Sequence, residues 1–368
     1  MAEQPLRVGV VGADGHDRWG ARAHVPALRA LSGSGVDLAA VCTSREETAR
    51  AAAQRFGVAK WYAGHEALVR DPEIDVVTVA VRVPLHHPVS MAALEAGKHV
   101  FCEWPLALDS AQAKQLLDTA QARRLGHAVD LQARHSPGLL HMKELVDQGY
   151  LGRLLFFNMT QFLSTVTAPR PSHRWWLARR EGGGSALTIA TGHALDATRW
   201  LLGDVVAVCG HTETLVKEWQ WSDTGERVPV DSVDTVAFLC RLAGGAVGTV
   251  HVSQVSHRTS GWRLEAHGTD GKLTATSRGM VQYTPVRLRG AHRGEEERGL
   301  RIPRRFTWVQ GLTERHEAFN VAQAFSRFAQ AIREGSEHHP NFADSLELHR
   351  ILEAVAHSSE TGRWEQVG

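Results

Sequence analysis

The sequence predicts an α/β protein of two domains: an N-terminal parallel sheet covered by helices, then an α+β domain with a large open, mostly antiparallel sheet. Three observations predict it. At 368 residues the chain exceeds one ordinary core. Over the first 130 residues, short β-branched runs alternate with helical patterns, as βαβ units require. Beyond about residue 131 long strand-like runs follow one another, separated by turn signals such as Gly244-Gly245 and Asp270-Gly271.

In the first part, Leu6 to Val11, Val36 to Cys42, Asp75 to Val81 and His99 to Cys102 read as strands, apolar on both faces and therefore buried in mid-sheet. Ala21 to Leu31, Glu46 to Phe56, Val89 to Ala96 and Ser110 to Arg124 read as helices, the last with Asp109 as its N-cap. In the second part, helix Ser136 to Gln148 stops at Gly149. The strands are Leu154 to Phe162, Val205 to Thr214, Thr235 to Leu242, Ala246 to Gln254 and Arg263 to His267. Helices His316 to Arg333 and Ala343 to Ser358 close the chain, and Arg287 to Arg305 reads as an exposed, mobile loop. The boundaries are 1–131 and 132–368, with the last helix packing back on the first domain.

Composition narrows the function classes. The net charge of +1 provides no global field toward nucleic acid or a membrane, so neither is expected as a partner. No run approaches 18 apolar residues and no secretory leader is read, which points to the cytoplasm. Cys42, Cys102, Cys209 and Cys240 are scattered, without disulfide or metal spacing. The 21 histidines include no H-E-x-x-H motif, and His86-His87 and His338-His339 are adjacent pairs that point apart, so no metal is expected.

Gly12-Ala13-Asp14-Gly15 follows a strand and precedes a helix, the context in which glycines let the backbone approach a pyrophosphate at a helix N-terminus. The loop runs through His16, Asp17, Arg18 and Trp19 to Gly20, longer than G-x-G-x-x-G. At the tip of the second strand stand Thr43, Ser44 and Arg45, with no carboxylate. An acid there would hold a ribose 2′-hydroxyl, whereas a hydroxyl and a guanidinium suit a 2′-phosphate. The first domain therefore reads as a Rossmann domain for NADP(H). NAD(H) stays open, because Glu46 is within reach of a ribose.

Five segments carry a family resemblance: the Gly12 loop, His24-Val25-Pro26-Ala27-Leu28, Ala93 to Val100, Glu103-Trp104-Pro105-Leu106-Ala107 and Gly192-His193-Ala194-Leu195-Asp196. Together they resemble the Gfo/Idh/MocA (glucose–fructose oxidoreductase/inositol dehydrogenase) family. The resemblance implies a dinucleotide-binding domain, a second domain for substrate and oligomer contacts, and hydride transfer on sugar-like or other cyclic alcohols and ketones. It further implies cofactor contacts from Gly12, Asp14, Gly15, Trp19, Ser44, Arg45, Val81, Arg82, His86, Glu103 and Trp104. Gln132, Arg134, Trp175, Trp176, Trp104 and His193 are the residues expected toward a small-molecule substrate, and a homo-oligomer, dimer or tetramer, is expected through the C-terminal sheet.

The chain departs from the family at its working positions. Trp104 stands where the family carries the lysine of E-K-P, Ile189 where it carries an aspartate, and Val81-Arg82-Val83 where it reads T-P-N. These departures resemble the branch that contains the yeast galactose-regulon repressor, as does Leu131 to Pro137. None of the six lysines falls near the missing one. Indole does not titrate, so Trp104 either forms an aromatic wall or fills the volume of a lost site. His193 is the remaining proton carrier, since imidazole titrates near neutrality; the alternative is a polar wall residue. The two readings are an NADP(H)-dependent oxidoreductase with an atypical proton relay, and a nicotinamide-binding protein without net redox turnover.

Overall fold

Six strands form the first sheet: β1 (Leu6–Val11), β2 (Val36–Thr43), β3 (Lys60–Ala63), β4 (Val76–Val79), β5 (His99–Glu103) and β6 (His127–Asp130). All are parallel, in the order β3-β2-β1-β4-β5-β6. That order reverses between β1 and β4, the switch point beside which doubly wound sheets bind ligands at their C-terminal ends. The apolar strands are buried on both faces, as Val8, Val10, Val76, Val77, Val79, Val100 and Phe101 show. The computed structural model describes residues 4–15 and 18–367; His16 and Asp17 of the glycine loop lie outside the described residues.

Two units result, one of residues 1–132 with 307–346, the other of 133–306 with 347–368. Helix Ala318–Glu334 belongs to the first unit, where Val321, Phe325 and Phe328 share a core with Val25, Leu28 and Phe101. The Phe101 and Phe325 rings lie 4.4 Å apart. The helix that returns to the first unit is therefore this one, ahead of the last helix, Phe342–Thr361, through which the division runs.

The second unit is built on β7 (Leu154–Phe162), β8 (Val205–Glu213), a separate hairpin of β9 (Glu218–Gln220) and β10 (Arg227–Pro229), then β11 (Thr235–Leu242) and β12 (Val247–Ser253). It continues with β13 (Gly261–Gly268), β14 (Gly271–Ser277), β15 (Arg287–His292), β16 (Arg298–Leu300) and β17 (Glu365–Gln366). Nine of these form one sheet ordered β16-β15-β14-β13-β7-β12-β11-β8-β17. Its pairs are antiparallel except β7 with β12. Along β11, Val236, Phe238, Cys240 and Leu242 are buried while Ala237, Leu239 and Arg241 are exposed, the alternation of a sheet with one covered face. The open face carries Phe156, Leu239 and Val247. The stretch expected to be a mobile loop, Arg287 to Arg305, instead contains β15 and β16: Leu288 points inward between the exposed Arg287 and Arg289.

Helix Gly192–Leu202 lies inside this unit, with all but its last turn almost fully buried. Ser185 and Thr188 cap the π-helical turn Ala186–Thr191 that leads into it. Asp196, buried on this helix, accepts from Arg134 Nε at 2.9 Å and Nη2 at 2.6 Å. A two-pronged ion pair in a dry site is strongly coupled, and removing one partner leaves the other charge buried. Asp196→Ala is therefore expected to lower the unfolding free energy by about 3–5 kcal/mol in a denaturant titration; a loss below about 1 kcal/mol would count against the pair as the anchor of this helix.

Candidate dinucleotide site and buried carboxyl cluster

The expected cofactor residues of the first unit gather at the C-terminal ends of its strands. Gly12, Asp14, Gly15 and Trp19 follow β1, Ser44 and Arg45 follow β2, Val81 and Arg82 follow β4, Glu103 ends β5 and Trp104 follows it, and Gln132 follows β6. Gly12 has φ +102°, and a Cβ there would sit 2.2 Å from the Ala80 carbonyl oxygen. A Cβ at Gly20 would meet the Gly12 carbonyl oxygen at 2.5 Å. Gly20 thus supplies the close helix-to-strand packing usually given by the last glycine of the shorter fingerprint. The cradle fits a backbone-bound pyrophosphate. Arg55 Nη1 donates to the Gly15 carbonyl at 3.0 Å and holds the loop from the side.

At the tip of β2, Ser44 and Arg45 are exposed, and Arg45 forms no ion pair among the described residues. Glu46, one position on, pairs with Arg50 at 2.8 Å. Gln132 is buried, and neither its amide oxygen nor its nitrogen has a partner among the described residues.

One expectation is corrected by the geometry. His86 does not face a ligand: its Nδ1 lies 2.6 Å from the Pro105 carbonyl and its Nε2 3.0 Å from that of Val81. The neutral, buried ring donates to one of these two carbonyls and packs between the loops after β4 and β5. His193 does not titrate near neutrality, because burial holds its imidazole down at about 3. It is 4% exposed, and its Nδ1 has no partner among the described residues.

Trp104 is only 3% exposed, so its indole fills volume and offers little open ring face. Arg134 is engaged by Asp196 within the protein, which makes it part of the scaffold carrying His193. Trp175 is 48% exposed and Trp176 half-buried, both on the helical turn Ser172–Ala178. Ile189 lies on the turn before His193.

Sequence reasoning missed the most unusual electrostatic feature. In the β5–β6 register Glu103 stands opposite Asp130. His24 Nε2 lies 2.5 Å from Glu103 Oε1 and 3.8 Å from Asp130 Oδ2, and Trp19 Nε1 donates to Glu103 Oε1 at 2.8 Å. Burial, followed by the adjacent Glu103 carboxyl, pushes Asp130 well above the usual carboxylate range. Burial likewise raises Glu103 to about 7, opposed by the neighbouring Asp130 and by the hydrogen bond from Trp19, and it lowers His24. Two facing carboxyls cannot both ionise, so the cluster shares a proton. The three residues bring possible metal-ligand atoms within 4.8 Å of one another. At 2.5 Å, however, Nε2 and Oε1 are at hydrogen-bond distance, and ligands about 2.0–2.2 Å from one tetrahedral ion would be held further apart.

A parallel sheet in this strand order, a glycine cradle at its switch point and a second unit built on an open sheet define a dinucleotide-binding oxidoreductase architecture. The chain belongs to the Gfo/Idh/MocA family. Residues 6–130 match the oxidoreductase family, NAD-binding Rossmann fold, and residues 139–274 match the GFO/IDH/MocA C-terminal domain. Dehydrogenase aclE of Aspergillus oryzae is 35% identical over 89% of this chain and 88% of its own. Levoglucosan dehydrogenase of Pseudarthrobacter phenanthrenivorans is 27% identical over the same shares. The galactose/lactose metabolism regulatory protein of Saccharomyces cerevisiae is 25% identical over 97% of this chain and 93% of its own. A solved structure of levoglucosan dehydrogenase in complex with NADH and L-sorbose superposes with a TM-score of 0.87 at 26% identity, covering 100% of both chains.

The cluster makes a pH-dependent prediction. A carboxyl raised from 4.5 to about 7 in the folded state binds more protons there than in the unfolded chain, so its contribution to stability falls as pH rises through that window. Relative to Glu103→Gln, the parent protein is expected to lose up to about 1.4 kcal/mol per pH unit between pH 4.5 and 7 in urea titrations. A stability difference that stays flat with pH would contradict the shared-proton arrangement.

Proposed function

We propose that this protein is an NADP(H)-preferring oxidoreductase acting on a sugar-like or other cyclic alcohol or ketone, with His193 as the group that handles the hydroxyl proton. The observation that carries the reading is the placement of His193: a buried imidazole, its Nδ1 without a partner among the described residues, on a helix fixed by the Arg134–Asp196 pair. The bound nicotinamide supplies the hydride acceptor or donor. His193 accepts the hydroxyl hydrogen bond, takes the proton as the carbonyl forms, and returns it in the reverse direction. Because its ring is already deprotonated, His193 adds no acidic limb to the rate profile between about pH 5 and 8.

The cofactor preference rests on the tip of β2, where Arg45 has no acidic partner among the described residues and Glu46 pairs with Arg50. A second reading, a nicotinamide-binding protein without net turnover, is favoured by Trp104 and Ile189 standing where the family carries its lysine and aspartate, and by the similarity to the yeast regulatory protein.

Two measurements test these statements. In calorimetric titrations NADPH is expected to bind more tightly than NADH, and Arg45→Ala should remove about 1.5–3 kcal/mol of that preference. Equal affinities in the parent protein would sink the preference. For turnover, His193→Ala is expected to lower kcat about 10²–10⁴-fold while leaving cofactor affinity unchanged. A variant that turns over at the parental rate would remove His193 from the mechanism. NADPH that binds but is never oxidised across keto-sugars and cyclic ketones would favour the second reading.

A further inference from the structure

In the second unit, Val166, Ala178, Trp219, Trp221 and Val230 form a small core of their own, between the segment after β7 and the β9–β10 hairpin. Arg170 is tied into it through the backbone. Its N–H donates to Gln220 O at 2.9 Å, its carbonyl accepts from Ser222 N at 2.8 Å, and it bridges Trp221 in parallel. Pro169 and Pro171 flank it and fix the local φ angles. Its guanidinium carbon stands 4.3 Å from the centre of the Trp219 ring.

The contact with Trp219 uses none of the five N–H donors of the guanidinium. Those donors have no hydrogen-bond acceptor, and neither Arg170 nor Arg174 has a carboxylate in ion-pair range, among the described residues. Asp223, on the same hairpin, is already engaged by Ser172 through its N–H at 3.0 Å and its Oγ at 2.6 Å. Burial, with the like charge of Arg174 behind it, holds the Arg170 guanidinium down at about 10. The Trp219 indole N–H is a further donor, buried and without an acceptor among the described residues. This small core therefore collects positive charge and donors that no acceptor engages among the described residues. A half-buried guanidinium held over an aromatic ring is restrained and still open to solvent, so the missing complement is an acceptor of opposite charge.

We propose that Arg170, with Arg174 beside it, forms a binding site for an oxyanion, the carboxylate or phosphate group of a small-molecule ligand. Nothing in this site depends on turnover or on a nicotinamide, so it is read by binding alone. The full-length protein is titrated calorimetrically, in a buffer free of phosphate and carboxylate, with glucuronate, glucose 6-phosphate and neutral glucose. At least one acid is expected to bind about tenfold or more tightly than glucose, the margin of a charge-assisted hydrogen bond, and the acid that does so tells carboxylate from phosphate. Arg170→Met, which keeps the apolar stem over Trp219, should erase the margin; Arg170→Lys should restore part of it. Arg174→Met leaves the contact with Trp219 in place, should weaken the acid several-fold, and serves as the test if Arg170→Met does not fold. Acids that bind no better than glucose, or a folded Arg170→Met that binds them as the parent does, overturn the site; so does an unchanged Arg174→Met where Arg170→Met does not fold.

Discussion

A side chain at position 12 would place a carbon 2.2 Å from the Ala80 carbonyl oxygen, and one at position 20 would come within 2.5 Å of the Gly12 carbonyl. These two approaches pin the loop after β1 against the end of β4 and against the following helix. The whole rim of the first sheet is arranged around that contact. Arg55 steadies the loop at Gly15, Trp19 reaches Glu103 on β5, and His86 ties the loops after β4 and β5 together. Only a residue without a Cβ allows the backbone to lie this close, and only then is the strand-end surface available to a flat anionic ligand.

Both units handle buried charge, by different means. In the second, Arg134 and Asp196 are opposite in sign and meet in a two-pronged bond, each the other's partner. In the first, His24, Glu103 and Asp130 hold two acids and one base in a dry space, and the resolution is neutralisation by a proton. The first arrangement locks a helix. The second leaves a group titrating close to physiological pH beside the loop that carries Trp19.

Much of this was legible in the sequence. Leu154–Phe162 and Thr235–Leu242 appear with the bounds read from the residues, because a sheet with one wet face writes its alternation into the chain. β3 and β6 escaped notice for the opposite reason: each has four residues, too short for a period to show. Arginines concealed β15, although Arg287, Leu288 and Arg289 do alternate outward and inward. In the site, Gly12 and Glu103 carry local signatures. The partnership of His24 with Glu103 and Asp130 arises from strand register and a helix packed over it, and no spacing in the sequence encodes those. The one available signal was an acid ending the apolar run of β6. His193 stands out in the sequence by its position, but the burial that lowers its pKa is supplied only by the folded chain.

The excursion of the chain through the second unit, and its return at residue 307, sets an order on biosynthesis. Phe325 and Phe328 complete the core around Phe101, yet they emerge from the ribosome some two hundred residues after it. Until then the nascent first unit keeps an apolar face of its sheet uncovered, and a fragment ended near residue 132 would keep it so permanently. The N-terminal unit is a domain in its architecture but not in its autonomy: it becomes whole only after residues 133–306 of the other unit have been made.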